Sequence, residues 1–209
     1  MDGCGKTTQM RLLAGRLRRE GLDVVENYEP GGTPIGKQIR AILLDARNQE
    51  LCPTAEMLLY FASRAQAVEQ QILPSLRAGR LVLSDRFTDS TMAYQGVARG
   101  LGGDVVLSLH EIACGGLLPD LTLLLDIDPE TSLDRARFRN REVLSEGGPA
   151  ETRMDDQAFE FHRRVHDAYA SMAREEPARF KVIDGRGTVD AVADEIWRTV
   201  SQRLSGKHV

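Results

Sequence analysis

The sequence predicts an α/β fold: a parallel sheet with helices on both faces. Short apolar runs alternate with helical patterns along all 209 residues, which is the order expected of parallel strands joined by helices. The runs are continuous rather than alternating, as in strands covered on both sides. A glycine-rich turn, Asp2-Gly3-Cys4-Gly5-Lys6-Thr7-Thr8, leads straight into the first helical pattern. With 42% apolar residues, residues 1–209 suit a single domain around one core.

Thr7 to Arg19 carries Met10, Leu13, Ala14 and Leu17 at helical spacing, and Gly21 suits the stop. Residues 23–28 read as a strand ending at Glu29-Pro30-Gly31-Gly32, and Thr33-Pro34 opens a helix. A long helical pattern runs from Thr54 to Arg77, with Pro74 expected to kink or end it. Residues 81–85 and 121–126 are buried strands, and Asp104 is expected to cap the helix between them, closed by Gly115-Gly116. Asp128-Pro129-Glu130 is a helix start: a capping carboxylate, proline in the first turn, then an acid. Asp156 to Arg174 reads as a helix, residues 180–184 as the last strand, and a final helix follows.

The net charge of −4 leaves no basic footprint for nucleic acid. No apolar run reaches the length of a membrane span, and no leader pattern follows Met1. Cys4, Cys52 and Cys114 are scattered without metal-ligand spacing, so a cytoplasmic setting is expected. His110, His162, His166 and His208 form no ligand or triad pattern. Of 27 basic residues only four are lysines, so a lysine in a motif is informative.

That lysine is Lys6. Gly3, Cys4, Gly5, Lys6, Thr7 and Thr8 match most of the pattern in which backbone N–H groups close around phosphates. Lys6 would reach the β- and γ-phosphates of ATP, and the Thr7 hydroxyl would face Mg²⁺. The pattern's first glycine would fall one position before Met1. Ser84-Asp85-Arg86 closes a buried strand, where open parallel sheets place ligands. Asp85 can orient Mg²⁺, and Arg86 can bridge two phosphate groups with its planar fork.

These segments, with Glu29-Pro30-Gly31-Gly32-Thr33-Pro34, Ser63-Arg64-Ala65-Gln66, Ser90 to Gly96 and Pro119-Asp120-Leu121-Thr122, occur in an order that resembles the thymidylate kinases over nearly the whole chain. The resemblance implies a P-loop nucleoside-monophosphate-kinase fold. It implies ATP-dependent phosphorylation of thymidine 5′-monophosphate to the diphosphate, toward dTTP. It further implies that Asp2 stands near the acceptor's 3′-hydroxyl, Pro30 lines the base pocket and Tyr60 flanks the base. Arg64 would bond the thymine carbonyl, Thr91 would meet the N3 edge, and Tyr94 would crowd the 2′ position. Tyr28 departs from the family, which often has arginine there, and Cys4 stands where alanine is usual. A thiol at that position is an oxidation target.

Arg135, Arg137, Arg139 and Arg141, a glycine-bearing loop, then Arg153-Met154-Asp155 resemble an arginine lid over residues 139–154. Gly3 occupies the place where some relatives carry the assisting arginine, so the resemblance is to the bacterial type whose lid supplies it. Arg139 and Arg153 are the expected lid cations, with Arg135 and Arg137 flanking the adenine. A homodimer through the helices near 34–45 and 54–77 is implied. So is a further strand at the sheet's centre that the 209 residues do not include, whose lack would leave the chain poorly stable or inactive. Two alternatives stand beside this reading: another nucleotide or nucleoside kinase, and a nucleotide-binding protein with impaired catalysis.

Overall fold

A computed structural model describes residues 3–149 and 151–206. Nine α-helices and four strands are described, in this order. Helix α1 (Lys6–Arg19) leads to β1 (Val24–Asn27), then α2 (Pro34–Leu44) and α3 (Pro53–Ala67). A π-helical stretch (Val68–Ile72) and α4 (Leu73–Arg77) continue α3 and lead to β2 (Leu81–Ser84). The short α5 (Thr88–Thr91) runs into a second π-helical stretch (Met92–Ala98), followed by α6 (Gly103–Cys114) and β3 (Thr122–Asp126). Helices α7 (Pro129–Ser145) and α8 (Phe159–Glu175), strand β4 (Phe180–Asp184) and α9 (Val189–Ser205) complete the chain.

The strands are parallel, as expected, but they form two pairs. β1 lies beside β2 with Val24 opposite Leu81, and β3 beside β4 with Thr122 opposite Phe180. Among the described residues no ladder joins β2 to β3. A shared core holds the pairs together instead. Leu13, Ala14 and Leu17 of α1 and Val192, Ile196 and Val200 of α9 cluster with Val24, Leu125 and Ile183, and Leu81, Leu83 and Leu123 pack against them. Side chains alternate across a strand, so Val82 and Leu124 meet clusters on the opposite face, built from the helices after α2. Leu17 is fully buried, and cutting such a leucine to alanine costs about 2–5 kcal/mol.

Local chemistry explains most boundaries. Thr33 accepts a hydrogen bond from Gly36 N at 2.9 Å, and Asp128 one from Thr131 N at 2.8 Å; both precede a proline that lacks the N–H a helix start leaves unused. Gly115, in the left-handed region at φ 58°, closes α6. Three expectations need correction. Asp104 sits inside the first turn of α6, whose cap is Gly102. The helix ending at Arg77 does not stop at Pro74: the wide turn at Val68–Ile72 precedes it, and Pro74 falls in the first turn of α4, where its missing N–H is tolerated. The helix expected from Asp156 begins at Phe159.

Candidate active site

A cleft of about 1000 Å³ opens at the carboxyl ends of β1 and β2. Gly3, Gly5, Lys6, Thr7 and Thr8 form one wall, at the start of α1. Gly3 and Gly5 adopt φ of 82° and 92°, conformations that side chains with a Cβ resist. Gly3 also packs so closely on α7 that a Cβ there would run into the Ser132 carbonyl. The turn therefore leads into the amino end of a helix, where backbone N–H groups and the helix dipole favour anions. Cys4 does not line the cleft. Its side chain is buried in the core cluster with Leu13 and Ala14, and its sulfur lies 3.9 Å from Lys6 Nζ.

The opposite wall comes from the end of β2. Asp85 Oδ1 accepts from the Glu29 backbone N–H at 2.8 Å, tying the two strand ends together. Arg86 reaches the Ser90 hydroxyl at 3.3 Å and stacks over the Tyr94 ring with 5.1 Å to the centroid. The Ser90 hydroxyl is in turn 2.7 Å from that of Tyr169.

The floor is buried and ionic. Arg64, 1% exposed, donates to Glu29 at 2.7 Å and to the Thr91 hydroxyl at 3.0 Å. Burial pushes the Glu29 carboxyl above its usual range, Arg64 pulls it back, and Asp85 adds to the rise. Tyr60 lines the cleft one helical turn before Arg64, and Pro30 follows Glu29 through a cis peptide. Thr91, Tyr94 and Gln95 enter from the second π-helical stretch and the turn before it. In that stretch Ala93, Tyr94, Gln95 and Gly96 are all buried in succession, which an ordinary amphipathic stripe does not do.

Arg135 and Arg139 line the cleft from α7, the latter 3.8 Å from Asp155. Glu151 closes over it through a 2.6 Å ion pair with Arg40 of α2. Arg153 is placed elsewhere. It is 1% exposed, does not line the cleft, and donates to Glu56 at 2.7 Å and to the Leu43 carbonyl. Glu56 also takes Gln95 and Arg99. Burial raises its pKa, but the hydrogen bonds from Arg99, Gln95 and Arg153 outweigh that and leave it lowered. Asp2 lies outside the described residues.

Sequence reasoning assigned no role to Glu29, Arg11, Arg40, Gln95 or Glu151, all of which line the cleft. Arg11 alone had a legible signal, four residues after Thr7 on the same helical face. Thr7 and Asp85 offer hard oxygens in one cleft, and among the described residues there is no cluster of three or more acidic, cysteine or histidine ligands. That donor set fits Mg²⁺, which is held by one or two protein oxygens with phosphates and water.

A sequence model of the family "Thymidylate kinase" matches residues 1–196. The chain is 46% identical over 202 residues to the thymidylate kinase of Pelobacter propionicus, covering 97% of this chain and 91% of that protein. It is 48% identical over 205 residues to that of Syntrophotalea carbinolica, covering 98% and 94%. The crystal structure of thymidylate kinase from Ehrlichia chaffeensis superposes with a TM-score of 0.75 at 29% identity, covering 96% of this chain and 94% of that one. The chain therefore belongs to the thymidylate kinases, the enzymes that phosphorylate thymidine monophosphate.

Proposed function

We propose that the cleft transfers the γ-phosphoryl group of ATP in line to thymidine 5′-monophosphate, with roles for individual side chains as follows. One observation carries the reading: the glycine-lined amino end of α1, the Asp85–Arg86 pair and the Arg64–Thr91–Tyr94 floor line one cavity of about 1000 Å³, large enough for two nucleotides end to end. Gly3, Gly5 and Thr8 cradle the donor phosphates with backbone N–H groups, and Lys6 neutralises charge on the oxygens between donor and acceptor. Arg86, held by Ser90 and Tyr94, spans the same gap. Thr7 and Asp85 would hold Mg²⁺, which when bound offsets the charge of the β- and γ-phosphates.

Arg64 and Thr91 present polar groups to the base, with Tyr60 and Pro30 beside it. A site whose buried polar groups are left unpaired by the wrong base discriminates strongly. Tyr94, buried beside Arg86, leaves little room for a 2′-hydroxyl. Residues 139–154 act as the lid, with Arg139 aimed at the migrating group and Arg135 beside the adenine. An Arg153 role in transfer would require breaking its pair with Glu56.

Two further readings concern assembly. Ile35 and Ile42 of α2 and Leu58 of α3 are exposed, which supports a homodimer through these two helices. The two strand pairs have no ladder between them among the described residues, which supports one more parallel strand joining β2 to β3. Strand β1 is buried at three of its four residues, whereas its partner β2 has none buried. No described helix is long and apolar enough to cross a membrane. The three free cysteines support a reducing, cytoplasmic setting.

The deciding experiment couples ADP release to a panel of nucleoside monophosphates. Turnover selective for thymidine monophosphate, with loss in Arg64→Ala, is expected. Equal turnover of cytidine or uridine monophosphate would overturn the base-reading roles. ATP binding without transfer would favour a nucleotide switch.

A further inference from the structure

We propose that Arg11 grips the 5′-phosphate of the acceptor nucleotide, held in place by Tyr28. This rests on the acceptor assignment above.

Arg11 lies one turn beyond Thr7 on α1 and lines the cleft together with Tyr28. Helical side chains lean toward the helix's amino end, so its guanidinium is carried back beside the phosphate-binding turn. Two other arginines of the cleft are already matched to carboxylates. Arg40 is engaged by Glu151 and the Pro30 carbonyl, and Arg64 by Glu29 and Thr91. Arg11 has no carboxylate partner among the described residues; its contact is the phenol of Tyr28, whose pKa it lowers against the larger effect of burial. That phenol donates its own proton to Glu26 at 2.9 Å, leaving the oxygen lone pairs for Arg11. A neutral phenol orients the guanidinium without spending its charge, and the planar fork suits phosphate.

The position favours acceptor over donor. Donor phosphates belong at the first turn of α1. Tyr28 instead opens the loop after β1 that leads through Glu29 and Pro30 toward the Arg64 floor, where the acceptor's base would lie. The family resemblance expects an arginine at position 28. Here Tyr28 replaces its charge by drawing in an arginine from another element.

The test is calorimetric titration of the full chain with thymidine monophosphate, thymidine and ATP. Arg11→Ala is expected to weaken the monophosphate about tenfold or more, as loss of a charge-assisted contact does, while thymidine and ATP stay within about twofold. Arg11→Lys should retain part of the affinity, and Tyr28→Phe should lie between wild type and Arg11→Ala. Arg11→Ala combined with Tyr28→Arg should recover the monophosphate. An Arg11→Ala chain that keeps its preference for monophosphate over thymidine overturns the proposal, as does one that loses ATP alone. A wild-type chain that binds thymidine and its monophosphate equally overturns it too but leaves the base site standing, whereas one that binds neither sinks the acceptor assignment with it.

Discussion

Glu29 and Arg64 face each other across 2.7 Å with side chains 4% and 2% exposed, so the floor of the cleft is an ion pair almost wholly withdrawn from water. Removing one partner strands the other. Glu29→Gln and Arg64→Ala should each destabilise the fold by about 3–5 kcal/mol, measured by urea unfolding. A loss below about 1 kcal/mol, the worth of an exposed pair, would show that water reaches it.

Glu56 gives a test with a defined pH window. Its folded pKa lies below 4.5, so its contribution is present above that value and fades as pH falls through the lowered one. Glu56→Gln should therefore melt well below wild type at neutral pH, and the gap in Tm should narrow as the buffer is taken below 4.5. A gap that widens on acidification would contradict the ledger of hydrogen bonds around this carboxylate.

Gly3→Ala should abolish ATP-induced thermal stabilisation. The substitution forces a Cβ both into a left-handed conformation and onto the Ser132 carbonyl, and the backbone strain alone costs about 1–3 kcal/mol. Normal ATP stabilisation in this variant would mean that the turn can reshape freely.

Lys6→Ala should retain the fold and lose roughly 100-fold or more in kcat, the scale seen when one preorganised charge is removed from a transition state. Circular dichroism and steady-state turnover read the two effects separately. Unchanged kcat would place the transferred group away from Lys6.

Appending an apolar strand that can seat between β2 and β3 should raise Tm and activity, because the flanking edges gain hydrogen-bond partners. Hydrogen exchange at Val82 and Leu124 should slow at the same time. Equal stability and activity with and without the strand would refute this account of the gap.

The fold was legible wherever one segment carried its own signal. The runs at 81–84 and 122–126 form the expected strands but not the expected burial, since no residue of β2 and only Leu125 of β3 is buried, whereas Thr33-Pro34 and Asp128-Pro129 announce their helices through capping chemistry. Thr88 to Ala98 was not legible as helix, because its buried residues follow no single period. In the site, Lys6, Asp85, Arg64 and Tyr94 stand in recognisable patterns and meet in one cleft. The fate of Arg153 could not be read locally, since its partner Glu56 is 97 positions away. Charge alone does not say whether an arginine faces a ligand or a buried carboxylate.

The widened turn at Met92–Ala98 makes residue count a functional quantity. Each α-helical residue advances the chain by about 100°, so removing one position there would restore a regular coil while swinging Arg99 off Glu56 or Tyr94 out of the cleft. Length variants in this stretch should therefore be rarer than substitutions, and an insertion or deletion would tell more about specificity than most point changes.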